Sequence, residues 1–495
     1  MTKDDLMRFT ATGCVITEAQ WIYEGTYTPP TGDPITGLPP FVRVAVTLKP
    51  TVASDIKMEL WMPIAGWNGR FLGTGNGGGG GNLYFGSCVE GLRCGFATAN
   101  TDLGTSPGAD SESVVNIPEK HADFGHRATH EMTVNAKKII EAFYGRPVKA
   151  AYFQGGSTGG SQAIMEAQRY PQDYNGIISL VPANNRTLLH TYFLWNYRAF
   201  HDESGAGLSE AEVELVHEAF IAARDTSADG GAPWDRFFND PRHTFARTDA
   251  VIDALPLNPA QKRALCKVYS GPVNPRTGER IFGPLPAGGE KPPYSLHYYQ
   301  SRDAAPKGLF YVFRWAFGAD FDPFAFDFDR DLETLQERLA PLLNANDPDL
   351  SGFNGAGGKL LVAAGTHDPV CPYHDTLNYY DRICAAQGGA GDFVRLFLLA
   401  GQGHGELGRF TGSNGEPLLD VLIAWVERGV KPDALLFSAA GEGDTNTMPI
   451  CRPVYPYPQF AVCTAGEHPA QPADYKAVER ARGGVPAASE RLLRW

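Results

Sequence analysis

The chain has 495 residues, 43% of them hydrophobic and 20% charged, which suits a globular protein of two or three domains or one core with a large insertion. A formal net charge of −13 and a pI near 5.4 argue against a nucleic-acid backbone or an anionic membrane as the main partner. Runs of about 18 apolar residues are absent, so a transmembrane helix is excluded.

Met1 to Gly13 is polar, without the apolar core of a secretory signal. The expected location is cytoplasmic, or secreted if a leader has been removed. Val15 to Thr28 and Phe41 to Lys49 show β-type alternation around a Pro/Gly-rich loop, Pro29 to Pro40. Ile56 to Met62 alternates cleanly and predicts a half-exposed strand. Arg70-Phe71-Leu72 then enters a glycine run from Gly73 to Gly81. Gly73, Gly75 and Gly78 satisfy GxGxxG, but the segment after them is a poor helix. A phosphate loop would need Gly-Lys-Ser/Thr, which is absent. The remaining readings are a backbone-donor loop for an oxyanion and a plain flexible turn. Gly95 to Ala99 is a further short strand.

Thr129 to Ala142 predicts a helix with Met132, Val134, Ile139, Ile140 and Phe143 on its buried side. His121, His126 and His130 lie nearby, with no carboxylate at a telling spacing, and read as structural histidines rather than metal ligands. Val148 to Phe153 is a strand that runs into Gly155-Gly156-Ser157-Thr158-Gly159, which fits G-x-S-x-G. Ser161 to Arg169 comes next as a helix ended by Pro171. Strand, glycine turn and helix form the setting of a nucleophile elbow. An ordinary glycine-rich βα loop is the alternative in a chain with 56 glycines.

Ile177 to Val181 is a buried strand. The character then changes, with helices (Leu208 to Ala223, Pro259 to Val268) among long Pro/Gly loops. An aromatic stretch, Phe310 to Phe328, reads either as domain core or as a lid lining a pocket for a flat substrate. Lys359 to Gly365 suits a buried parallel strand and ends at Thr366-His367-Asp368-Pro369. A helix from Thr376 to Ala386 and a strand from Val394 to Leu399 lead to Gly403-His404-Gly405. Leu418 to Arg428 is an amphipathic helix, and the tail after Met448 is Pro-rich with little periodicity.

Three apolar strands thus end at Ser157, Asp368 and His404, in the order Ser…Asp…His of α/β-hydrolases. A parallel sheet would carry all three to one edge. The hydroxyl needs a base, imidazole serves near pH 7, and a carboxylate fixes its tautomer. His367 should point to the opposite face; Asp375 and Asp381 are alternative acids. The eight cysteines form no CxxC and no zinc-type cluster. They read as buried small hydrophobes, with one or two disulfides open in an oxidising compartment.

The chain resembles the tannase/feruloyl esterase family of α/β-hydrolases, which includes mono(hydroxyethyl) terephthalate hydrolases. The resemblance rests on Trp67 to Phe71, Gly75 to Gly78, Asp123-Phe124-Gly125 with His130, Gly155 to Gly160, Gln168 to Pro171 with Gly176-Ile177, Gly365 to Pro369, and Gly403-His404. It implies an α/β-hydrolase core with a mostly parallel sheet and a large inserted lid: core over 1–183, lid over 184–357, core again over 358–495. It also implies serine ester hydrolysis of aromatic-acid esters through an acyl-enzyme, with oxyanion donors from Thr158 and from Gly77 or Gly78. The expected partner is a small aromatic ester, with no nucleic acid, membrane or cofactor; an acyltransferase or cyclising thioesterase using the same triad is the alternative. The oligomeric state is left open. Members typically join cysteines flanking the serine and the histidine in a disulfide; here Gly156 and Gly405 stand at those positions. The family's lid calcium loop would fall near Asp225 to Gly231, which is poor in carboxylates for such a site.

Overall fold

The computed structural model describes residues 2–243, 248–291, 296–300, 309–389, 392–405, 410–439, 450–464 and 471–493. Apolar runs that alternate between two covered faces build the centre. The strands are β1 (Cys14–Ile22), a small hairpin β2 (Thr26–Tyr27) and β3 (Ile35–Thr36), β4 (Phe41–Leu48), β5 (Ile56–Pro63), β6 (Arg70–Thr74), β7 (Ala97–Thr101), β8 (Ala150–Gly156), β9 (Gly176–Leu180), β10 (Lys359–Gly365) and β11 (Val394–Leu399). Nine of them form one sheet in the order β1-β4-β5-β7-β6-β8-β9-β10-β11. From β7 to β11 every pairing is parallel, while β1, β4 and β5 extend the sheet antiparallel. This is the expected α/β class with a large, mostly parallel central sheet.

Neighbouring residues on these strands enter opposite cores. Phe153 and Leu360 join the larger apolar cluster, whereas Tyr152 and Leu361 join a second one with Leu419, Leu422 and Trp425 of the helix Leu418–Arg428. Both faces are therefore covered, as parallel strands require. The stretch between β9 and β10 is mainly helical, and Tyr192, Phe220, Leu265 and Phe313 from it belong to the same cluster as the sheet. Among the described residues, no helix is long and apolar enough to cross a membrane.

One expectation is corrected. The β5 strand is buried from Met58 to Pro63 rather than half-exposed. Met58, Leu60 and Met62 enter the large core, and Trp61 packs with Tyr27, Phe41 and Phe85 on the other side. The charge of Glu59 is met there by Arg43, which also binds Glu18, and by the Trp61 indole at 3.0 Å. Further strands follow the central sheet and run into the Pro-rich tail. Strands β12 (Phe410–Gly412), β13 (Leu435–Ala439) and β14 (Ile450–Val454) form a sheet, and β15 (Gln459–Cys463) pairs with β16 (Tyr475–Glu479). Pro453 is tolerated because β14 is an edge strand.

Each of the three histidines has a hydrogen-bond partner. The His121 ring bonds to the Val114 carbonyl, His126 to the Tyr170 hydroxyl, and His130 to Asp173 at 2.6 Å. Glu166, only 1% exposed, faces the same cluster: donor atoms of His130, Glu166 and Asp173 lie within 4.8 Å of one another. Burial, then the Asp173 carboxylate, drives the Glu166 carboxyl well above its ordinary 4.5. The folded state keeps a proton that the unfolded chain releases near 4.5, so this group costs stability increasingly as pH rises. Glu166→Gln, which copies the protonated carboxyl, should melt higher than the parent. In thermal scans across pH, that gain should widen above pH 4.5 and vanish below it.

Candidate active site

Ser157 lies between β8 and the helix Thr158–Arg169 with φ 58° and ψ −116°. A side-chain-bearing residue holds such angles only when the surroundings impose them. Here the main chains of three segments touch. A Cβ on Gly155 would come within 2.6 Å of Gly159, and one on Gly75 within 2.4 Å of the Gly159 Cα. The Gly159 N–H donates to the Asn76 carbonyl at 2.7 Å, and the Ser157 N–H donates to Leu180 at the end of β9 at 3.0 Å. Glycines at both ends of G-x-S-x-G are thus demanded by backbone contact. Ser157 is partly exposed at the rim, with a helix N-terminus behind it.

Asp368 lies just beyond β10 and is fully buried. Its Oδ1 accepts the N–H groups of Val370 and Cys371, both at 2.8 Å. Its Oδ2 receives the Nδ1 of His404, which lies beyond β11, at 2.7 Å. Burial presses the imidazole pKa down, but the charge and hydrogen bond of Asp368 outweigh it and the net shift is upward from 6.5. Bound this way, Nδ1 carries the proton and Nε2 is left as the basic nitrogen. The thiol of Cys371 lies within 4.8 Å of donor atoms of both Asp368 and His404, and the parallel order of β8, β9, β10 and β11 brings Ser157 to the same edge. The three strand-end residues therefore converge on one rim.

The alternatives lie elsewhere. The His367 ring is buried and its Nε2 accepts the Phe238 N–H at 3.2 Å; burial lowers its pKa to about 3. Asp375 faces the Asn185 amide at 3.4 Å, and Asp381 pairs with Arg482 at 3.2 Å.

The glycine loop after β6 has no helix at its start, so the dinucleotide reading falls. It is instead moored beside the elbow. The Asn76 N–H donates to Gln162 at 2.8 Å, and the Thr158 hydroxyl donates to the Gly78 carbonyl at 2.6 Å. Gly77 and Gly78 thereby sit next to Thr158. A cleft of about 560 Å³ opens alongside, lined by Gln154, Gly155, Gly156, Leu180, Phe410 and Leu418 among others.

Sequence reasoning misses two residues here. Arg186 is buried, donates to the Thr158 hydroxyl and to the Tyr311 hydroxyl, each at 3.1 Å, and lies over the Phe124 ring. Cys371 reads in the sequence only as a small buried hydrophobe. Neither has a local motif; the signal for Cys371 is its position three residues after Asp368. Tyr192 and Tyr299 also reach in, both donating to the Pro369 carbonyl at 2.9 and 2.8 Å. Of the aromatic stretch, Phe313, Phe321 and Phe326 pack on one another, and Trp315 stacks on His121; Tyr311 is the ring that contacts Arg186.

The eight cysteines, all among the described residues, form no disulfide. A Cβ at Gly156 would meet nothing nearer than 3.8 Å, and at Gly405 nothing within 4 Å. The segment where the resemblance implies calcium has a donor set that does not fit it. Asp225 caps the short helix Thr226–Asp229. Asp229 accepts the Asp240 N–H at 2.6 Å and faces Arg224. Asp235 takes a two-pronged bond from Arg452, at 3.0 and 2.8 Å, and Asp240 binds Arg242 and Arg480. Guanidinium groups stand where a six-to-eight-oxygen shell would need an ion.

Residues 42–478 match the family model described as tannase and feruloyl esterase. An uncharacterized esterase of Xanthomonas campestris is 31% identical, with 92% of this chain and 88% of that one aligned. The mono(2-hydroxyethyl) terephthalate hydrolase of Piscinibacter sakaiensis is 28% identical over 82% and 79%. The crystal structure of feruloyl esterase B from Aspergillus oryzae superposes with a TM-score of 0.84 at 22% identity, covering 96% of this chain and 100% of that one. On this match, over a fold and a site rim that agree with it, the chain belongs to the tannase and feruloyl esterase family and is a carboxylic ester hydrolase.

Proposed function

We propose that the protein hydrolyses small-molecule esters of aromatic acids through an acyl-enzyme on Ser157, with His404 as base and Asp368 as its orienting carboxylate. The observation that carries this reading is the His404–Asp368 hydrogen bond of 2.7 Å beside a serine held at φ 58°. His404 Nε2 takes the Ser157 proton as Oγ attacks the ester carbonyl, and returns it to the leaving alcohol. Asp368 stays ionised, held by two backbone N–H groups, and stabilises the imidazolium. The N–H of Thr158 and that of Gly77 or Gly78 receive the oxyanion. Water, activated by the same imidazole, then releases the acid.

The aromatic preference is supported by the names of the relatives, one of which is a mono(2-hydroxyethyl) terephthalate hydrolase. The insertion over 184–357 is read as a lid whose underside completes the site: Arg186 and Tyr311 brace Thr158, and Tyr192 and Tyr299 fix the loop of the acid. In this reading the lid holds no calcium, because arginines neutralise its carboxylates.

Ser157→Ala should lower kcat for an aryl ester by about 10⁶-fold with an unchanged melting curve; retained turnover would sink the assignment. The kcat profile should rise with pH through a midpoint above 6.5, because the base must be neutral and Asp368 raises its pKa. Asp368→Asn should move that midpoint down and reduce kcat by on the order of 10⁴-fold. A chelator should leave the melting temperature unchanged, whereas Arg452→Met, which strands the buried Asp235, should destabilise by about 3–5 kcal/mol in denaturant melts.

A further inference from the structure

The ester chemistry uses Ser157, His404 and Asp368 and gives Cys371 no task. Yet this thiol is built into the site. The Cys371 N–H is one of the two donors to Asp368 Oδ1, so the turn that fixes the acid also fixes the cysteine. The residue is 2% exposed. Its Sγ, a His404 ring nitrogen and an Asp368 oxygen lie within 4.8 Å of one another.

Thiolate with imidazole is a donor pair for soft and borderline divalent cations. In a tetrahedral zinc site, bonds of about 2.0–2.3 Å place neighbouring donors roughly 3.3–3.8 Å apart, and the sulfur, ring-nitrogen and carboxylate donors here lie within 4.8 Å of one another. The outer support already exists. A metal-bound histidine ordinarily donates its other ring N–H to a carboxylate, and His404 Nδ1 does so to Asp368 at 2.7 Å. Burial holds the thiol well above its ordinary 9.0, so in the resting enzyme it is a protonated bystander.

We infer that this centre is also an inhibitory site for a thiophilic divalent cation, of the zinc or cadmium class, with Cys371 Sγ and His404 Nε2 as ligands. Asp368 orients the imidazole, and the Ser157 hydroxyl or water fills the remaining positions. On binding, the Cys371 S–H bond breaks, the sulfur–metal bond forms and the proton leaves to solvent. The ion occupies the lone pair on His404 Nε2 that would accept the serine proton. The loss of activity rests on the reading of His404 as base; the binding of the ion does not.

The test is a cadmium titration of the full chain, followed both by sulfur-to-cadmium charge-transfer absorbance and by aryl-ester hydrolysis. One equivalent should give the absorbance and stop hydrolysis in step. Cys371→Ser, or Cys371→Ala if the serine variant folds poorly, should lose that equivalent, and its remaining activity should tolerate at least about tenfold more cadmium. Ser157→Ala, though inactive, should still bind the ion. Cys94→Ser, which removes an exposed thiol, should behave as the parent does. Undiminished cadmium binding or sensitivity in both Cys371 variants would overturn the site. Binding that depends on Cys371 but leaves hydrolysis untouched would overturn the inhibitory role and the assignment of His404 as base, while the hydrolysis of Ser157→Ala reports separately on the nucleophile.

Discussion

Backbone-to-backbone contact among Gly75, Gly155 and Gly159 is the constraint on which the rest of the site depends. Side chains at these positions would drive β6, β8 and the nucleophile helix apart. A Cβ on Gly75 or Gly155 would stand 2.4 or 2.6 Å from Gly159, and one on Gly159 would stand 3.0 Å from Gly75. Their closeness forces the turn at Ser157 into positive φ and throws its side chain out at the sheet rim. It also brings the loop after β6 against the residue next to the serine, where the Asn76 and Gly78 carbonyls are held by the Gly159 N–H and the Thr158 hydroxyl. One packing requirement thus sets the nucleophile and the neighbouring backbone donors together. The parallel run of β8, β9, β10 and β11 does the rest, because the chain leaves β8, β10 and β11 at the same edge.

The mainly helical stretch between β9 and β10 is welded to this edge by polar bonds under an apolar roof. Thr187, Gln336 and Asn344 form a buried network, and two tyrosines share the Pro369 carbonyl. Such networks are stable only when each member is satisfied, and the two tyrosines fix the loop that carries Asp368. A second set of buried charges, Asp229, Asp235 and Asp240 with four arginines, joins that stretch to the C-terminal strands through Arg452 and Arg480. The tail thereby becomes part of the structure that supports the site.

Much of this was legible in the sequence because it rests on local rules. Continuous apolar runs mark β10 and β11, and strand–glycine–serine–glycine–helix marks the elbow. What escaped depends on contacts between distant segments. The alternation of Ile56 to Met62 looks half-exposed because Glu59 is charged, yet Arg43 from β4 neutralises it in the interior. The tail strands are short and proline-bearing, so their pairing depends on partners far along the chain. Arg186 reaches Thr158 from the start of its helix, and no spacing announces it. Cys371 carries no motif, and only the folded turn brings its sulfur beside Asp368 and His404.

The central claim is that Ser157 is a nucleophile activated by His404 and Asp368. The most direct measurement is reaction of the intact protein with a fluorophosphonate, followed by peptide mapping in a mass spectrometer. A single adduct on Ser157, formed much more slowly in His404→Ala, is the predicted result. An adduct on another residue, or labelling of Ser157 at the same rate without the imidazole, would contradict it.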